Sequence, residues 1–183
     1  MPRFAVLLRG VNVGNSNRVP MAKFKAMLHG LGYTEVATIL NSGNAVFTGP
    51  GRAAAQHAPA IASALAASMG VSVPVVVKSA AELAAAVASN PLPVPDQDHS
   101  RFLVAFASDQ TALQSLESLQ ALVQPPDRLV VGPHAAYLHC AAGILESKVG
   151  AAMLGNPGQR VTTRNWATTL KLLALCGSAV QRP

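Results

Sequence analysis

Val36-Ala-Thr-Ile-Leu-Asn-Ser-Gly-Asn-Ala-Val-Phe-Thr48 decides the fold. Val36 to Leu40 and Ala45 to Thr48 are short apolar and β-branched runs of strand length. Asn41-Ser-Gly-Asn44 between them has the composition of a tight turn, so the pair reads as a β-hairpin. Upstream, Phe4-Ala-Val-Leu-Leu8 is the unbroken apolar run of a buried central strand. Ala22 to Leu31 then sets Phe24, Met27, Leu28 and Leu31 at helical spacing, with Gly32 as the C-cap. Downstream, Gly49 to Arg52 is a loop and Ala53 to Met69 an alanine-rich helix. Pro59 marks either the true start of that helix or a break in it. Val73 to Lys78 is a strand. The order β-α-β-β-α-β is the split unit of ferredoxin-like folds.

The pattern then restarts. Ser79 caps a helix to about Ala88, with Glu82 completing a capping box. Asn90-Pro-Leu-Pro-Val-Pro-Asp-Gln-Asp98 has the proline density of a linker. Phe102 to Ala107 is a strand. Asp109 caps a helix through about Val123, with Leu113, Leu116, Leu119 and Leu122 on its apolar stripe, and Pro125-Pro126 ends it. Leu129 to Val131 and Ala136 to Cys140 are strands around Gly132-Pro133. Ser147 to Leu154 and Thr163 to Cys176 read as helices, the last with Trp166, Leu170 and Leu173 on one stripe. The second half is therefore β-α-β-β-α-α and lacks the final strand of the first. The fold class is α+β, with two ferredoxin-like subdomains at 1–89 and 101–183 and a Pro-rich linker at 90–100. Mixed or antiparallel sheets carry helices mostly on one face.

Composition narrows the function. The 183 residues are half hydrophobic and only 12% charged, and the formal net charge of +6 suits anionic partners. Cys140 and Cys176 have no metal or CxxC spacing and read as buried, reduced thiols. The N-terminal apolar run is cut at Arg9, too short for a signal peptide, and no window reaches the roughly 18 apolar residues of a membrane span. A cytoplasmic protein without membrane association is expected. The eight carboxylates are Glu35, Glu82, Asp96, Asp98, Asp109, Glu117, Asp127 and Glu146. Only Glu146 lies near a candidate segment, which disfavours two-carboxylate and two-metal chemistry. The histidines show no HxxxH or HExxH spacing, so no metal site is assigned, and Asp96-Gln-Asp-His99 reads as a solvated loop. Ser147-Lys148 is a poor nucleophile pair, because adjacent helical residues point about 100° apart. No catalytic residue and no cofactor is assigned, and the sequence sets no oligomeric state.

Three segments carry binding chemistry. Arg9-Gly-Val-Asn-Val-Gly-Asn-Ser-Asn-Arg-Val-Pro20 joins a strand to a helix whose N–H groups and dipole favour an anion there. Arg9 and Arg18 supply donors for phosphate or carboxylate, and Gly10 and Gly14 let the backbone turn or approach a ligand. The second segment is the Asn41 to Asn44 turn. The third is Gly158-Gln-Arg-Val-Thr-Thr-Arg-Asn-Trp166, where Thr162 or Thr163 would cap the last helix and put Arg164 and Asn165 in its first turn. Arg164, Thr168 and Lys171 would then share a polar face, with Trp166 on the core side. Each segment also has a plainer reading, as a polar connection, a turn and a cap.

Taken together, Leu7-Leu-Arg-Gly-Val-Asn-Val-Gly14, Arg18-Val-Pro-Met21, Ser42-Gly-Asn44, Ser147-Lys148 and Thr162-Thr-Arg-Asn-Trp166 resemble, in order, the motifs of the domain of unknown function 1697 family. The resemblance spans essentially the whole chain. It implies a bacterial α+β protein of two ferredoxin-like halves and supplies no activity. Asn15, Ser16, Asn41, Glu146 and Ala167 depart from the family pattern. Ser16 and Glu146 each remove positive charge.

The expected function is a cytoplasmic protein that binds a phosphate-bearing small ligand such as a nucleotide. Arg9, Arg18, Lys148 and Arg164 would pair with the anion. Gly10 and Gly14 would admit it, and Asn12, Asn44 and Asn165, with Ser42 and Thr163 beside them, would orient it. This requires the three segments to converge. The alternatives are a nucleic-acid-binding module, a structural or interaction protein whose motifs lock its halves, and an enzyme without a recognisable catalytic set.

Overall fold

The computed structural model describes residues 1–51, 53–155 and 160–177. Packing divides the chain into two compact units, Met1–Leu83 with the chain from Leu172 onward, and Ala84–Lys171. The strands are β1 (Arg3–Leu8), β2 (Thr34–Ile39), β3 (Asn44–Thr48), β4 (Val75–Ser79), β5 (Phe102–Ala107), β6 (Arg128–Val131), β7 (Ala136–His139) and β8 (Val161–Asn165). The α-helices are α1 (Met21–Gly30), α2 (Ala58–Met69), α3 (Ala80–Ala88), α4 (Gln110–Gln114), α5 (Lys148–Gly155) and α6 (Trp166–Gly177).

The first unit holds a four-stranded sheet ordered β2-β3-β1-β4, antiparallel throughout. Phe4, Val6 and Leu8 pack on one face with Phe24 and Leu28 of α1 and Ile61 and Leu65 of α2. Ala5 and Leu7 point to the other face and are equally buried. Burial on both faces is why β1 reads as an unbroken apolar run instead of an alternating one. Pro59 stands in the first turn of α2, so it starts this helix and does not break it. Arg52, at the end of the loop expected before it, lies outside the described residues. The α3 capping box forms as its sequence requires. Ser79 N donates to Glu82 Oε2 at 2.7 Å and Glu82 N to Ser79 Oγ at 3.2 Å.

The second unit repeats the topology, with an antiparallel sheet ordered β6-β7-β5-β8. The expected absence of its final strand is therefore corrected: Val161–Asn165 is β8, paired with β5 from Leu103↔Asn165 to Ala107↔Val161. The misreading has a physical source. Val-Thr-Thr-Arg-Asn buries polar side chains, so it lacks an apolar strand signal, and it runs directly into the helical stripe that begins at Trp166. The helix expected from Asp109 to Val123 is another difference. Asp109 does cap it, accepting from Ala112 N at 2.8 Å, but α4 ends at Gln114 and Ser115–Leu122 continues as a 3₁₀ helix. The proline-rich stretch at 90–100, including a 3₁₀ turn at Asp96–Asp98, lies within the second unit.

Candidate functional site

The strand-to-helix loop of the first unit closes on itself through asparagines. Asn12 Nδ2 donates to Val19 O at 2.9 Å, and Asn12 Oδ1 accepts from Val19 N at 2.8 Å. Asn12 N donates to Asn17 O at 3.1 Å, and Asn17 Nδ2 to Gly10 O at 3.2 Å. Gly10, Asn12, Gly14 and Asn17 all take left-handed backbone angles, with φ of 64, 56, 60 and 50°. Glycine and asparagine tolerate that region best, which explains the composition of the loop. A β-carbon at Gly10 or Gly14 would meet nothing within 4 Å, so these glycines set conformation and are not crowded.

The hairpin turn fastens onto this loop. Asn12 Nδ2 also donates to Asn41 O at 2.6 Å, and Leu8 N to Gly43 O at 2.9 Å. Gly43, with φ of 76°, presses against the loop base: a β-carbon there would lie 2.6 Å from Val11 Cγ2 and 2.7 Å from Leu8 Cβ. Asn44, fully buried on β3, donates through Nδ2 to Ser42 Oγ at 2.9 Å and to Ile39 O at 3.3 Å. The first two sequence segments thus form one structure.

Between them lies a groove of about 390 Å³ lined by Asn12, Gly14, Arg18, Val19, Pro20 and Asn41. Arg18 is exposed and makes no ion pair among the described residues. Arg9 is buried, and burial pushes its pKa down from the ordinary arginine value. Pro20 precedes α1, which has no side-chain cap and no acidic residue in its first turn. Its first N–H groups therefore lack the intrahelical partners and the counter-charge that helix starts usually find. Asn41 and Pro20 lie within the two candidate segments but are not among the residues that the sequence assigns to the ligand. The signal for Pro20 was present, because no Ser, Thr, Asp or Asn stands at the helix start.

Charge concentrates in the same unit. Residues 1–83 carry seven Lys and Arg against two carboxylates, Glu35 and Glu82, whereas residues 84–171 carry six of each. Glu35 accepts from Thr48 Oγ1 at 2.8 Å and Glu82 is held in the capping box. Neither carboxylate lines the groove.

The third segment belongs to the second unit. Gly158 and Gln159 lie outside the described residues. The expected helix cap at Thr162 or Thr163 is corrected: both are on β8, and Asn165 caps α6, its Oδ1 accepting from Thr168 N at 2.9 Å. Arg164 is likewise a strand residue, so it does not share a helical face with Thr168 and Lys171. It pairs in register with Val104 and is buried, donating through Nη1 to Thr162 Oγ1 at 2.8 Å and to Thr163 O at 2.7 Å. Burial lowers its pKa to about 10. Lys148 is exposed at the first residue of α5, where Ser147 Oγ accepts from Gly150 N at 3.0 Å. Ser147 is thus a helix cap.

Other chemistry in the second unit is sparse. His139 Nε2 lies 3.2 Å from Asp98 Oδ2, beside a small cavity of about 220 Å³ walled by Pro93, Pro95, Pro126 and Arg128. Among the described residues no three His, Cys, Asp or Glu side chains are grouped to hold a metal, and no helix is long and apolar enough to cross a membrane. All five Phe and both Tyr are buried, and Trp166 is half-buried, edge-on to Phe102 at 5.4 Å. Neither sheet therefore offers an exposed aromatic face on which bases could stack.

Compared with known proteins, the sequence matches the family described as "Protein of unknown function (DUF1697)" over residues 1–137. Among solved structures it is similar to the conserved bacterial protein SP0830 from Streptococcus pneumoniae, with 23% identity and a TM-score of 0.76. The match covers 96% of this chain and 98% of that one. At this identity the likeness shows the fold alone. No curated protein sequence matches the chain.

Proposed function

We propose that this chain, which belongs to the DUF1697 family, binds a phosphate-bearing small ligand, such as a nucleotide, in the groove beside the 10–20 loop. The observation that carries the reading is the groove itself, where an exposed Arg18 and an uncapped helix start line one concavity. Arg18 supplies the mobile charge, and the first turn of α1 supplies N–H donors and the positive end of its dipole. Asn12 and Asn41 hold the two walls together, with Ser42 and Asn44 fixing the turn behind them. Gly14 leaves open space at the loop. The excess of seven cations over two carboxylates in residues 1–83 draws an anion to this unit. Lys148, Thr163, Arg164 and Asn165 belong to the other unit.

The test is an amide-shift titration of the whole chain with inorganic phosphate, then AMP and ATP. The expected result is saturable movement of the Gly14 to Ala22 amides and an affinity lowered about tenfold or more in Arg18→Ala, the loss of one charged hydrogen bond. Unmoved amides in that stretch at millimolar ligand would reject the reading.

A further inference from the structure

A second concavity of the first unit lies between α1 and α2. It is larger, about 550 Å³, and its walls are Ala26, Met27, Leu31, Ala64, Ala67 and Met69, with Lys23 at the rim. Its lining is mainly apolar. Ser68, the one hydroxyl there, donates to Ala64 O of its own helix at 2.6 Å. The two helices differ from ordinary surface helices in their charge. Met21–Gly30 carries Lys23 and Lys25, both exposed, and no acid; Ala58–Met69 carries no charged residue at all. An exposed helix normally presents charged residues on its solvent side. The only carboxylates of residues 1–83 are Glu35 on β2 and Glu82 on α3, both engaged elsewhere. The groove is therefore mainly apolar, with Lys23 the one charged residue in its lining and no acid on either helix to offset it.

We infer that the α1/α2 groove docks an acidic amphipathic helix of a partner protein. The dimensions suit one: the walls run over Lys23 to Gly30 of α1 and Ala64 to Met69 of α2, about 9 to 12 Å or roughly two turns of an incoming helix. Alanine along α2 lets another helix axis approach closely, and Met27 and Met69 adapt to the side chains that enter. Apolar residues of the guest at i, i+3, i+4 and i+7 fill the recess while its acidic flank meets Lys23. Charge argues against a second copy of this chain, since a symmetric pairing brings the two copies of Lys23 together.

The probe is a synthetic, helix-stabilised peptide with Leu at i, i+3, i+4 and i+7 and Glu elsewhere, beside a control with Lys in place of Glu. Fluorescence anisotropy of the labelled peptide gives the affinity, and amide shifts of the whole chain give the location. The acidic peptide is expected to bind saturably and to move α2 amides from Ala64 to Met69, and the basic control to fail. Lys23→Glu weakens binding roughly fivefold, as expected for reversing an exposed charge. Ala67→Arg fills the groove and weakens it about tenfold or more. Ala67 is exposed on its helix, and an unchanged melting temperature in Ala67→Arg confirms that the fold is kept. Equal binding of both peptides, shifts that avoid α2, or no binding would overturn the inference. So would a groove occupied instead by anionic vesicles or by a second copy, seen as Ala67→Arg-sensitive vesicle pelleting or concentration-dependent dimers. A phosphate ligand beside the 10–20 loop leaves the α2 amides unmoved, so the two readings stand or fall separately.

Discussion

Gly43 shows how one residue ties a turn to a loop. Its backbone is left-handed and its missing side chain lets Val11 and Leu8 come within contact distance. Gly43→Ala combines an unfavourable φ with a clash against buried atoms. It is expected to cost about 3 kcal/mol, read as a lower urea midpoint. A second residue-scale outcome concerns pH. Burial raises the Cys176 thiol to about 11 from its ordinary value near 9, with Arg3 acting weakly in the opposite direction. Between those values the unfolded chain loses the thiol proton and the folded chain keeps it. Stability present below pH 9 is therefore lost as pH rises toward 11, at most about 1.4 kcal/mol per unit. Cys176→Ala should flatten the decline measured by denaturant titration across that range. Part of the slope should remain, because burial also raises the Cys140 thiol.

At the scale of elements, the sequence was legible where side chains report their surroundings directly. The hairpin at 36–48 could be read from its turn chemistry, and α3 from the reciprocal Ser79 and Glu82 pair. Ser79→Ala removes that cap and is expected to cost about 1 kcal/mol, measured by chemical denaturation. The final strand was not legible, because Arg164 and Thr162 are buried there by hydrogen bonds rather than by hydrophobicity. A pattern built on apolar spacing sees such a strand as the polar prelude to a helix. The 3₁₀ continuation after α4 was hidden for the converse reason. Leu113, Leu116 and Leu119 satisfy both helical periods over so short a span.

For the whole molecule, the sequence disclosed the duplicated topology but not how the candidate site is assembled. Contacts such as Asn12 to Asn41 span 29 residues, and side-chain spacing carries no trace of them. The uneven partition of charge was legible, and it has a solution consequence. Inorganic phosphate and nucleotide should move amides of residues 1–83 in preference to 84–171, and added salt should weaken the exposed Arg18 contact. Shift mapping at two ionic strengths checks both points. Shifts spread evenly over both units would count against the groove beside the 10–20 loop.

The first unit is completed by residues far along the chain. Leu172 and Cys176 are buried, and Arg3 Nη1 donates to Leu175 O at 2.7 Å. On a translating ribosome, residues 84–171 are therefore available as a contiguous set before the N-terminal strands can receive their last packing partners. The N-terminal unit begins synthesis first and finishes assembly last. A nascent chain arrested with Lys171 as its final exposed residue should show protected amides in β5 to β8 and faster exchange around Arg3. Should Arg3 and its neighbours prove equally protected in that arrested chain, the C-terminal helix would be dispensable for closing the unit that began first.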